Sequence, residues 1–113
     1  MSGSATGITM TLPPEVQPIL DSLTGETPDK KLAHLLLNEI RRKLESCEEE
    51  RLDLEIKYGM EYGSFKGQLE AGELGHEFGH ELEMDAMRWE DLIAEKQHWL
   101  EQLRLAKELL QWR

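Results

Sequence analysis

Apolar positions from Pro28 to Tyr58 advance by three and four residues: Leu37, Ile40, Leu44, Cys47, Leu54 and Tyr58, with Arg51 on the same line. That spacing predicts a helix with a narrow seam facing another helix. The run has no interior Gly or Pro, Thr27 offers an N-cap, Pro28 suits the first helical position, and Gly59 is the expected left-handed stop. Such a helix extends roughly 45 Å and needs a partner along its length. Its first half has a wider apolar face (Leu32, Ala33, Leu35, Leu36, Ile40), whereas residues 45–57 narrow to a seam flanked by charge.

The partner is predicted over residues 81–112. Its expected seam is Leu82, Ala86, Trp89, Ile93, Leu100, Leu103 and Leu110, with Lys96 and Lys107 interposed. Two helices of similar length predict a long antiparallel hairpin. Between them, Tyr62, Phe65 and Leu69 share one side of a short connecting helix, which Gly63 and Gly67 weaken by up to ~1 kcal/mol each. Arg51 and Lys96 are odd seam residues, expected to pair with carboxylates or to snorkel outward.

Ahead of the hairpin, residues 1–7 are small and polar and are expected to be disordered. Residues 8–12, ITMTL, alternate as a strand would. Pro13 and Pro14 end it and open a helix carrying Val16, Ile19, Leu20 and Leu23 on one face, with Gly25 as the stop. The predicted fold class is therefore all-α apart from that strand. The expected division is 1–7, then 8–45 as an N-terminal segment, then 46–113 as a hairpin, the 28–58 helix being shared.

Strand, proline, helix, turn and second helix over residues 8–44 resemble the ribbon-helix-helix family. That resemblance implies a homodimer in which two strands pair, and DNA reading by the outward residues Thr9 and Thr11. The second half carries K-Y-G-M (Lys57 to Met60), Phe65, and D-x-x-x-W-E-x-L at Asp85, Trp89, Glu90 and Leu92. Here the chain resembles a family of small helical prokaryotic antitoxin-like proteins. That resemblance implies neutralisation of a cognate toxin by protein contact, with Asp85, Trp89, Glu90 and Trp99 as expected partner-binding residues and autoregulation of transcription as a further role.

Charge sharpens the partner. The 113 residues carry a net charge of −10, which disfavours non-specific contact with phosphate backbones and favours a basic protein. The cluster Glu45, Glu48, Glu49 and Glu50 is either a solvated face or part of such a site. A single cysteine, Cys47, excludes an internal disulfide, reads as a small core residue and fits a reducing cytoplasm. No leader and no apolar run of membrane-spanning length is visible.

One motif points elsewhere. His76-Glu77-Phe78-Gly79-His80 matches H-E-x-x-H, the spacing with which a helix holds zinc and places a glutamate on its bound water. No third ligand follows at a motif position, and Gly75 and Gly79 weaken the helix there. The prevailing expectation is a polar bend, with no catalytic residue, metal or cofactor. A zinc peptidase or zinc-binding protein and a structural helical adaptor are the alternatives. Trp89 falls on the seam, Trp99 one position off it, and Trp112 at the end.

Overall fold

The computed structural model describes residues 11–75 and 79–111 of the chain. A 3₁₀ turn (Pro14–Val16) leads into α1 (Gln17–Asp21), followed by α2 (Pro28–Tyr58), α3 (Tyr62–Glu70) and α4 (Gly79–Gln111). The described residues contain helices and no strand. Thr11 and Leu12 have no regular structure. The expected strand otherwise lies on residues 8–10, outside the described residues, as do residues 1–7, His76, Glu77 and Trp112.

Helix α2 begins and ends where its residues require. The backbone N–H of Lys30 donates to Thr27 Oγ1 at 3.1 Å, satisfying a first-turn donor that the helix itself cannot. At the other end Gly59 takes φ 67° and its N–H donates to the Glu55 carbonyl at 2.7 Å.

The chain forms two compact units, and both long helices contribute to each. One comprises Met1–Arg42 with Leu100–Arg113, and its core is Leu20, Ala33, Leu37, Ile40 and Ala106. Its turn after α1 is tight: Gly25 has φ 130°, and a Cβ there would lie 2.7 Å from the Lys31 nitrogen. Lys31 Nζ crosses the turn to the Leu23 carbonyl at 2.6 Å.

The other unit, Lys43–Trp99, is the hairpin. Cross-helix ion pairs join Lys57 to Glu81, Arg88 to Glu50 and Lys96 to Glu48. Position numbers rise on α2 as they fall on α4, so the helices are antiparallel. The core is Cys47, Leu54, Phe65, Leu82, Trp89 and Leu92.

The seam of α2 matches the expected positions, but that of α4 needs correction. Leu82, Ala86, Trp89, Ile93, Leu103 and Leu110 are buried or half-buried as expected, and Leu92, Trp99 and Ala106 join them, while Leu100 and Lys107 are exposed. Beyond Ile93 the step from each anchor is three residues and not four. Burying Ala106 in place of Lys107 leaves an ammonium in water, which decides between the two otherwise similar seams. It also brings Trp99 inward.

Replacing Gly25 with Ala is expected to destabilise the chain by about 1–3 kcal/mol, since the new Cβ is both crowded and in left-handed backbone. Gly67 lies in α3 with open space around its missing Cβ. Gly67→Ala should therefore raise stability by up to ~1 kcal/mol. Urea unfolding of both variants checks the pair of opposite signs.

Candidate partner-binding surface

The residues behind the second resemblance converge at the bend of the hairpin. Phe65 of α3 is fully buried, with its ring 4.7 Å from Tyr58 and 4.9 Å from Trp89. Tyr62 closes on Trp89 at 5.5 Å. Aromatic rings at these separations attract through their quadrupoles beyond simple burial.

Asp85 stands beside this cluster. It accepts from the Tyr58 hydroxyl at 2.5 Å and from Lys57 Nζ at 2.7 Å, while Lys57 also pairs with Glu81. Burial pushes the Asp85 pKa upward, but the hydrogen bonds from Lys57 and Tyr58 outweigh it and hold the carboxyl below its usual range. The same environment, burial first and then Asp85, pushes the Tyr58 phenol up to about 12. Lys57, Tyr58, Asp85, Trp89 and Leu92 thus join the two helices at the bend.

The four expected contact residues fare differently. Trp89 is fully enclosed, and no acceptor among the described residues meets its indole N–H. It therefore offers no surface to a partner in this fold. Asp85 is half-buried and engaged as above. Trp99 is half-buried against the core and edge-on to His98 at 4.7 Å. Glu90 is exposed; burial of the Tyr62 phenol first, and then the Glu90 carboxylate, raises the Tyr62 pKa. Of the expected DNA-reading pair, Thr11 is exposed and Thr9 lies outside the described residues.

The surface of the hairpin unit is more informative than those four residues. On α2, Glu45, Glu49, Leu52, Asp53 and Ile56 share an exposed face, Ile56 being 70% exposed. On α4, Glu83, Met84, Met87 and Asp91 form a second face, with Met87 at 63%. Glu45 alone among these was singled out with Glu49 from the sequence. The others are detectable as back-of-helix positions once the seam is known.

Arg51, Arg88 and Lys96 are engaged with other carboxylates of the unit. Arg51 binds Glu48 at 2.7 Å and also Glu55. Lys96 reaches Glu48 from α4 at 2.5 Å. Arg88 grips Glu50 with two nitrogens, one at 2.8 Å, and Glu95 at 2.9 Å. Lys96 and then Arg51 hold the Glu48 pKa down, and Arg88 does the same for Glu50. Cys47 lies 4.0 Å from Glu95; burial first, then that carboxylate, raises its thiol pKa, so it is a core residue and a poor nucleophile.

Among the described residues no group of three His, Cys, Asp or Glu stands together to hold an ion. His80 is exposed on the first turn of α4, while His76 and Glu77 lie outside the described residues. No helix among the described residues is long and apolar enough to cross a membrane.

The chain matches no family model, no curated protein and no solved structure. Neither resemblance is therefore backed by a matched family. Tyr58, Asp85, Trp89 and Leu92 of the K-Y-G-M and D-x-x-x-W-E-x-L patterns are buried or half-buried at the bend, while Lys57, Gly59 and Glu90 are exposed.

Replacing Trp89 with Ala should cost about 3–5 kcal/mol, the range for emptying a large aromatic from a core; chemical denaturation measures it. The lowered carboxyl pKa values of Glu48, Glu50 and Asp85 set a pH window. Their contribution is present above the ordinary carboxylate range, near ~4, and is lost as pH falls through the lower folded values. The urea midpoint should drop below about pH 4, and Asp85→Asn should flatten part of that fall. On the alkaline side, the Tyr58 contribution is complete below ~10 and is lost as pH rises towards its folded value.

Proposed function

We propose that the protein is a non-enzymatic, antitoxin-like binding protein whose hairpin unit takes a small basic protein on its outward carboxylates. One observation carries this reading. Lys43–Trp99 contains six Lys and Arg against sixteen Asp and Glu, a balance of −10, while the remainder of the chain contains seven of each and is neutral. The whole net charge thus belongs to one unit. Four of its six cations, Arg51, Lys57, Arg88 and Lys96, are engaged with carboxylates of the same unit.

What faces outward is carboxylate interleaved with apolar side chains: Leu52 and Ile56 among Glu49 and Asp53, and Met84 and Met87 among Glu83 and Asp91. Methionine adapts its shape to a partner, and a ring of like charge selects and steers one of opposite sign. Neutralisation of a basic toxin by contact is the biological role that this chemistry and the antitoxin-like motifs together favour. The neutral unit provides no positive field for a phosphate backbone, so protein binding is the primary role and promoter binding through Thr9 and Thr11 a secondary one.

Co-expression with the product of the adjacent gene should yield a stable complex and relieve any toxicity of that product. Absence of both would sink the antitoxin reading. Reversing Glu49, Asp53, Glu83 and Asp91 to Lys should weaken the complex roughly tenfold or more at low salt, mainly through the association rate. Surface plasmon resonance across a salt series measures this, and the difference from the unmodified chain should shrink as salt rises.

A further inference from the structure

Helix α4 carries a second stripe that the hairpin core does not use. Met84, Met87, Asp91, Ala94 and His98 advance by three and four residues, and all five are exposed, Met84 by 53% and Met87 by 63%. Met84 stands two residues from the buried Leu82, Met87 and Asp91 two from Trp89, and Ala94 two from Leu92. Two residues turn a helix by roughly 200°, so this stripe runs along the back of α4. Three-and-four spacing is what a helix presents to another helix. One such seam of α4 is filled by the core, and the other is open.

We propose that the open seam docks an amphipathic, lysine- or arginine-bearing helix of a partner protein, with a cation of that helix paired to Asp91. That docking rests on the hairpin unit's reading as the binder of a basic protein, and goes further in assigning the face and the element that fills it. Charge selects the occupant. Asp91 lies in the middle of the stripe, and the exposed Glu83 and Glu90 flank it on one side. On the other side Arg88 is held by Glu50 and Glu95 of the same unit. An unpaired carboxylate in a dry contact is costly, so a helix that covers Asp91 must bring a cation. A second copy of the chain meets like charge here, since the unit has a balance of −10.

A single polar residue in an otherwise apolar seam fixes register and partner choice at a cost in stability. Asp91 holds that place, while the flexible side chains of Met84 and Met87 shape themselves to an apolar surface. The back of α2 has the same step at Glu45, Glu49, Leu52 and Ile56, but carboxylates occupy two of its four places. That face keeps its water and steers a basic protein from a distance.

The probe is a synthetic peptide of about 15 residues, matching the roughly 22 Å from Met84 to His98. It carries leucines at three-and-four spacing, one lysine at the centre of that stripe, and lysines on its flanks. A scrambled peptide of the same composition controls for charge alone. Fluorescence anisotropy with the full chain should show the first peptide binding about tenfold or more tightly than the second. Met87→Glu should weaken it about tenfold or more, and Ile56→Glu should leave it unchanged. Asp91→Lys should weaken it as well, and a peptide with glutamate in place of the central lysine should regain affinity for that variant. All three positions are exposed, so circular dichroism should show the helices intact.

Equal affinity for the two peptides, or for the unmodified chain and Met87→Glu, would overturn the docking face and leave the charge-based reading of the unit in place. So would absence of binding by the first peptide, or failure of the glutamate peptide to rescue Asp91→Lys. The functional reading fails separately, when the adjacent gene's product forms no complex on co-expression. A complex formed there but indifferent to Met87→Glu counts against the docking face alone.

Discussion

The hairpin unit depends on Phe65 filling the space between Tyr58 and Trp89. At the bend of the hairpin, apolar rings would face water unless something covered them. Helix α3 is nine residues long and interrupted by Gly63 and Gly67, too short and too weak to persist by itself. It persists because one of its side chains is fully enclosed, and its enclosure in turn encloses Trp89. The bend and the core are therefore a single cooperative feature. Tyr58 belongs to both: its ring lies against Phe65 and its hydroxyl holds Asp85.

The charges of that unit divide into two populations with different work. Cross-helix pairs, Lys57 with Glu81 and Asp85, Arg88 with Glu50, and Lys96 with Glu48, connect residues far apart in sequence. Exposed pairs add little stability individually, but they would be broken by a slip of one helix along the other, so they specify register. The seam residues Arg51 and Lys96 meet on Glu48, which explains how a narrow helical interface tolerates two cations. Glu45, Glu49, Asp53, Glu83 and Asp91 face water.

Those two populations also explain what family-like motifs report in a small helical protein. Lys57, Tyr58, Phe65, Asp85, Trp89 and Leu92 carry the resemblance to antitoxin-like proteins, and all of them build the bend. A motif composed of packing residues tells of a scaffold. The exposed apolar and acidic faces lie on the backs of the same helices. Hence Trp89, attractive from its type and position, is interior, whereas Met84, Met87, Leu52 and Ile56 are the exposed apolar residues beside the acidic ones.

Local chemistry sufficed to place Thr27, Pro28 and Gly59 at the ends of α2, because caps and left-handed stops involve residues within one turn of each other. The three-and-four spacing likewise placed Leu37, Ile40, Cys47, Leu54 and Tyr58 inward, and the aromatic side of α3 was legible from Tyr62, Phe65 and Leu69. The α4 seam was legible only as far as Leu82, Ala86, Trp89 and Ile93. Trp99 and Leu100, or Ala106 and Lys107, serve periodicity equally well, and only tertiary packing makes one of each pair the interior residue. Nor could the linear chain assign partners to Arg51 and Lys96, or leave unit Lys43–Trp99 with all of the net charge. Those outcomes follow from which distant segments fold together, a matter of tertiary packing that no local spacing encodes.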